Sequence, residues 1–228
     1  MNKNKQYLLD TMKPSKALLV MAVPTVLSQL VVLLYNLADT WFIGKSNNPY
    51  MIGASSLALT IFLISTALSN IFGVGGGSLM ARLIGEKKNE DARKVVSYTI
   101  TMALISSVIF SLIIFIGMNP LLKMFGANDN TLKYARQYII PTTIIGTLPN
   151  VMTMCMSQLL RNSGYSKEAG IGIIFGSLIN IALDPIFMFV LLPKGNEVLG
   201  AGLATLISSI CSFIYFIIYF YICFNMCF

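Results

Sequence analysis

Residues 17–44, ALLVMAVPTVLSQLVVLLYNLADTWFIG, form a long apolar run that carries one charged side chain, Asp39. A hydrocarbon core is crossed by ~20 apolar residues in helical form. An ionisable side chain inside such a helix costs at least ~2.5–3.5 kcal/mol, so it is rarely incidental. Lys16 and Lys45 bracket the run. At 1.5 Å rise per residue, Asp39 is then ~13 Å to the Lys45 side of the midpoint. An aspartate is short and reaches an interface poorly. Asp39 therefore reads as a functional carboxylate rather than a snorkelling one.

Five further apolar segments follow, at roughly 51–81, 95–118, 134–160, 168–192 and 198–224, joined by short loops. Each far exceeds the ~10 alternating residues of a membrane β-strand. With 56% hydrophobic and 11% charged residues, against about 25% charged in a soluble domain, the chain reads as an all-α integral membrane protein with six transmembrane helices. Residues 1–16 form a basic amino-terminal arm and 17–228 the transmembrane body. The run after the arm is too long for a signal-peptide core. The net charge of +7 does not point to nucleic acid, because the charges sit between apolar runs, where they set topology. Lys3, Lys5, Lys13 and Lys16, the loop with Arg82, Lys87, Lys88, Arg93 and Lys94, and the loop with Arg161 and Lys167 fall on one side. Lys45, Lys123, Lys133, Arg136 and Lys194 fall on the other. The excess places both termini in the cytoplasm of a multi-pass cell-membrane protein.

Histidine is absent, which removes His-based metal sites and proton relays. Cys155, Cys211, Cys223 and Cys227 lie in apolar runs and read as small hydrophobes. The spacing of Cys223 and Cys227 has no companion ligands for a metal. Gly73-Val-Gly75-Gly-Gly77-Ser78 lacks the preceding strand that a dinucleotide loop needs. Its Gly73–Gly77 spacing instead suits close helix packing. No nucleophile, base and metal-ligand set suggests an enzyme, and no cofactor is implied.

Only Asp39 and Asp184 are carboxylates inside apolar segments, and no Lys or Arg lies deep in a segment to pair with them. Unpaired buried carboxylates lower their cost by binding a proton or a cation, as a proton- or sodium-coupled site would. Asn180 shares the helix face of Asp184, and Pro185 directly after it predicts a kink. Segments one and five both run outward, which puts Asp39 and Asp184 in the outer half, facing one cavity. In segment four Pro141 and Pro149 each remove a backbone hydrogen bond, and the freed carbonyls need neighbours or water. Segment three offers no assignable polar feature. In segment six Thr205 is placed to donate into the bundle or to its own helix. The aromatics Tyr215 to Phe224 read as an interfacial belt.

These residues resemble the multidrug and toxic compound extrusion family of cation-coupled exporters. The matching stretches are VPTVLSQLVVLLYNLADTWFIG, SLMARLIGEKKNEDARK, LLRNSGYSKEAG, NIALDPIFMF and VLGAGLATLISS, in the family's order and over nearly the whole chain. The resemblance implies a six-helix lobe, the amino-terminal half of such an exporter, holding a cation site. In it Asp39 matches the first-helix carboxylate, and Asn180 and Asp184 the fifth-helix pair. Tyr35 and Thr205 match accessory positions, and Pro24 the proline at which the first helix bends. The implied activity is H⁺- or Na⁺-coupled antiport of small organic compounds by alternating access. Family members have about twelve helices in two lobes and six are read here. That leaves a truncated or fragmentary product, or pairing with a second six-helix lobe or a second copy. The rival readings are a non-transporting scaffold subunit and an exporter of lipid-linked or other precursors. The latter would place more basic residues on the cavity.

Overall fold

The computed structural model describes residues 12–227, apart from the side chains of Pro14 and of 223–227. Lys3, Lys5 and Asp10 of the basic arm, and the side chains of Cys223 and Cys227, lie outside the described residues. Among the described residues there are seven α-helices: α1 Pro14–Gly44, α2 Pro49–Gly85, α3 Asn89–Met124, α4 Asp129–Ile139, α5 Thr147–Asn162, α6 Ser166–Pro185 and α7 Glu197–Cys227. Two short π-helical stretches, Ile140–Ile145 and Ile186–Leu191, follow α4 and α6. Five spans are long and apolar enough to cross a membrane. The sixth is the pair α4 and α5, bent by 50° at the break between them. The six-helix expectation holds on this count. Several helices outrun their apolar segments, because polar and charged turns continue them past the hydrocarbon.

The helices start and stop on local chemistry. Pro49 stands at the head of α2, where its missing N–H is not needed, and the Asn48 side chain accepts from the Tyr50 N–H. The Asn128 side chain accepts from the Thr131 N–H at the start of α4. Glu90 and Asp91 occupy the first turn of α3, where carboxylates suit the helix dipole.

Packing fixes the heights of the helices. α6 lies between α1 and α7. A Cβ on Gly170 would sit 3.1 Å from the Pro24 carbonyl, and Phe189 meets Phe42 edge-on with centroids 6.2 Å apart. The two contacts share nearly one sequence offset, so α1 and α6 run parallel in register. Gly176 opposes Ser212 and Gly200 opposes Met188, so α7 runs antiparallel to α6. α5 packs on α2 through the glycine run. A Cβ on Gly73 would lie 3.1 Å from Cys155 Cα, and one on Gly77 would meet Asn162, whereas one on Gly75 meets nothing within 4 Å. The packing reading of Gly73 and Gly77 is thus correct, and Gly76 extends it to α3 through Thr99.

Three expectations need correction. Arg161 is not in a loop: it ends α5 and is only 8% exposed. Its Nη2 donates to Ser28 Oγ of α1 at 3.0 Å, while Nε has no partner among the described residues. The long side chain lets a basic residue near the helix end turn inward. Segment three does carry a polar feature, since Ser111 Oγ donates to the Ile144 carbonyl in the π-helical break. Thr142 Oγ1 donates to the Tyr138 carbonyl at 2.6 Å there as well, so neighbours satisfy groups loosened around Pro141. The aromatic belt of α7 is partly internal. Tyr221 is 71% exposed, but Phe216 is fully buried. Tyr215 stacks on Tyr219 and donates to the Glu168 carbonyl at 3.1 Å.

Candidate functional site

The parallel register of α1 and α6 sets Pro24 beside Gly170 and Phe42 beside Phe189. Between those contacts the same offset puts Asp39 level with Asp184. Both lie in the half of the lobe away from the start of α1 and the end of α7, here the far half. Asp184 is completely buried, and neither of its carboxylate oxygens accepts a hydrogen bond among the described residues. The two carboxylates are near enough for their charges to interact. Asp39 Oδ2 accepts from the Tyr138 hydroxyl at 2.9 Å, and its Oδ1 is buried without a partner. Tyr35, one turn before Asp39 on α1, is within electrostatic reach of both carboxylates.

One turn below Asp184, Asn180 is 2% exposed. Its Nδ2 donates to Thr205 Oγ1 of α7 at 3.3 Å, and its Oδ1 is unpartnered. This is a cross-helix bond in which Thr205 accepts, whereas the sequence suggests that it donates. Four buried acceptor oxygens on Asp39, Asp184 and Asn180 thus lack donors in the protein. Such oxygens are hard ligands that suit a proton or a small hard cation. Among the described residues no three His, Cys, Asp or Glu side chains converge on a common point, so the donor set is not that of a transition metal.

The residues do not all face one cavity. A cavity of about 280 Å³ is lined by Tyr35, Asp39, Ser55, Tyr138 and Thr205 among others. A smaller chamber of about 50 Å³ is lined by Tyr35, Asn180 and Thr205 together with serines of α6 and α7. Tyr35, Phe62 and Thr205 border both and form a partition. Asp184 lines neither. No Lys or Arg borders either space.

Pro185 is followed at once by the π-helical stretch, so the departure expected there takes the form of a widened turn next to the carboxylate. At Pro24, α1 continues as one helix from Pro14 to Gly44. Sequence reasoning missed Tyr138. The available signal was depth: it lies near the outer start of segment four, as Asp39 lies near the outer end of segment one.

Comparison with known proteins identifies the chain's relatives. The chain is 33% identical over 194 residues to the multidrug export protein MepA of Staphylococcus haemolyticus, covering 85% of this chain and 42% of that protein. MepA of Staphylococcus saprophyticus is 30% identical over 210 residues, covering 92% of this chain and 46% of its own length. A MOP superfamily transporter from Pyrococcus furiosus superposes with a TM-score of 0.89 at 28% identity, over 97% of this chain and 48% of that one. An outward-facing multidrug resistance MATE family transporter matches equally well, with the same TM-score and coverage. The chain thus spans about half the length of the relatives it matches. The MatE family model matches residues 24–186, from the proline of α1 to just past Asp184. That span encloses both buried carboxylates and Tyr138, and the chain belongs to the MatE family.

Proposed function

We propose that this chain is one six-helix lobe of a cation-coupled antiporter that moves small organic compounds out of the cell. The observation that carries the reading is the level pair Asp39 and Asp184, with buried oxygens that no protein donor satisfies. A proton or sodium ion entering from the far end binds Asp39, Asp184 and Asn180, with Tyr35 and Thr205 beside them. Binding relieves the repulsion between the carboxylates and draws α1 toward α6. α1 rearranges around Pro24, and the change is transmitted to the substrate path. A ligand moves such an equilibrium only by its differential affinity for the two states.

The second lobe is the remaining half of a longer chain, another six-helix chain or a second copy of this one. α1 supports this, because only 6% of its apolar window is buried, against 17–33% in the other long spans. The basic residues place the near end, with both termini, in the cytoplasm of the cell membrane. The absence of Lys and Arg from both cavities disfavours anionic precursors as substrates.

The test is a melting series over sodium concentration and pH on wild type, Asp39→Asn, Asp184→Asn and the double variant. An ion that binds only the folded lobe raises its stability by RT ln(1 + [L]/Kd). The melting temperature therefore rises with sodium for a sodium site, or with falling pH for a proton site. Each single variant loses the response, and the losses are non-additive because both residues serve one site. A wild type indifferent to both ions rejects the shared site.

A further inference from the structure

The small chamber beneath Asn180 has a wall unlike the rest of the interior. Thr153 of α5, Ser177 and Asn180 of α6, and Ser208 and Ser212 of α7 line it. Each is no more than 6% exposed. Two of these polar groups have no partner among the described residues, Thr153 Oγ1 and Asn180 Oδ1. The other hydroxyls bond backbone carbonyls as donors: Ser177 to Ile173 and Ser208 to Thr205, each at 2.9 Å, and Ser212 to Gly172 at 3.4 Å. Their lone pairs remain as acceptors.

A buried hydroxyl and a buried amide oxygen are not left bare in a dry space, since each carries a desolvation penalty. The chamber's volume of about 50 Å³ admits roughly three to five waters at ~10–15 Å³ each. It also has direction. From Thr205 to Ser212 is seven residues of α7, and from Asn180 to Ile173 seven residues of α6, a descent of ~10 Å on each wall. Both descents lead away from the carboxylates toward the end where α1 begins and α7 ends. Ile173, which borders the space, packs in one apolar cluster with fully buried Phe216 and with Tyr165.

We propose that this chamber is a hydrated compartment that accepts a small monovalent cation from the Asp39–Asp184–Asn180 site, forming the inward leg of the ion route. The partition of Tyr35, Phe62 and Thr205 separates it from the Asp39 cavity, and the Phe216 cluster adjoins it at Ile173. Its oxygens replace the hydration shell of a small ion, and its size excludes organic cations. The inference rests on the cation-coupled reading above.

The test uses the full chain in lipid nanodiscs, with Cys211, Cys223 and Cys227 changed to alanine. Native Cys155 is kept, since it is fully buried in a different cluster, against α2 and α3. Ser208→Cys on α7 and Thr153→Cys on α5 are treated with Ag⁺ or with a trimethylammonium-ethyl thiosulfonate. Modification is read by mass after unfolding. Ag⁺ is expected to modify both introduced thiols at least tenfold faster than Cys155, and the bulky reagent neither. Introduced thiols as inert to Ag⁺ as Cys155 would show that no small cation enters. Modification by the bulky reagent would overturn the size limit. The same labelling in Asp39→Asn separates the two readings: a lost melting response with slowed Ag⁺ entry supports a chamber filled from the carboxylate site, and a lost response with unslowed entry overturns that route while leaving the carboxylate site standing. A wild type that melts independently of ions, with Ag⁺ still entering, rejects the coupling and leaves only a wet cavity, which overturns the proposed route.

Discussion

The Tyr138 hydroxyl donates to Asp39 Oδ2 at 2.9 Å across 99 positions of sequence, tying α4 to α1 in the far half of the lobe. A hydrogen bond to a charged group contributes about 1.5–3 kcal/mol. Tyr138→Phe is expected to lower stability by about that much in ion-free buffer. It should also enlarge the rise in melting temperature on adding the coupling ion, because the ion then supplies the compensation Tyr138 gave. An unchanged ion-free melting temperature would show that the bond contributes nothing.

The glycine run of α2 separates packing from propensity. Gly75 faces open space, so Gly75→Ala is expected to gain about 0.5–1 kcal/mol from helix propensity. Gly73 faces the α5 backbone at Cys155. Gly73→Ala forces that backbone to give and is expected to be destabilising by about 1–3 kcal/mol. Thermal melts of the two variants side by side check the contrast, and equal effects would remove the close α2–α5 contact.

Ser28 accepts from the buried guanidinium of Arg161 and itself donates to the Thr25 carbonyl at 2.8 Å, next to Pro24. Ser28→Ala leaves a buried charge with fewer partners and is expected to lower stability by about 1–3 kcal/mol. In an Arg161→Leu background the same change should matter far less. A double-mutant cycle measures the difference, and additive losses would mean the pair is uncoupled.

Much of the fold was legible, because membrane spans announce themselves by length and hydropathy. The two carboxylates stood out for the same reason, as charges where charge is expensive. Tyr138 did not, since a tyrosine in a short amphipathic stretch is ordinary until its height beside Asp39 is known. Arg161 was misjudged because a basic residue near a segment end normally marks a loop, and only the packing of α1 shows it turned inward. The split between the Asp39 cavity and the Asn180 chamber was also hidden. It depends on Phe62, an apolar side chain of α2 indistinguishable in sequence from its lipid-facing neighbours.

The proposed membrane orientation rests on the distribution of basic residues. Glu90→Cys is expected to react with an impermeant maleimide only from the cytoplasmic side, and Lys194→Cys only from outside. All three of Glu90, Lys123 and Lys194 are exposed, so Lys123→Cys serves as a second outer position. Reaction of Lys194→Cys and Lys123→Cys from the cytoplasmic side alone would invert the topology.

The parallel seating of α1 on α6 bears on how the chain is made. α1 leaves the ribosome before the other described helices, yet the helix it packs against begins at Ser166, more than a hundred residues later. At ~5–20 residues per second, the interval from Gly44 to Ser166 lasts roughly 6–25 s. Until Tyr138 has been synthesised the first helix waits in the insertion machinery or in lipid with Asp39 uncovered, and Tyr138 arrives before Asp184 does. The order of synthesis leads us to expect a late capture, in which Tyr138 can reach Asp39 while α6 is still being synthesised. Slowing translation downstream of codon 140 should leave the first helix held, whereas slowing it upstream should expose it to quality-control proteolysis.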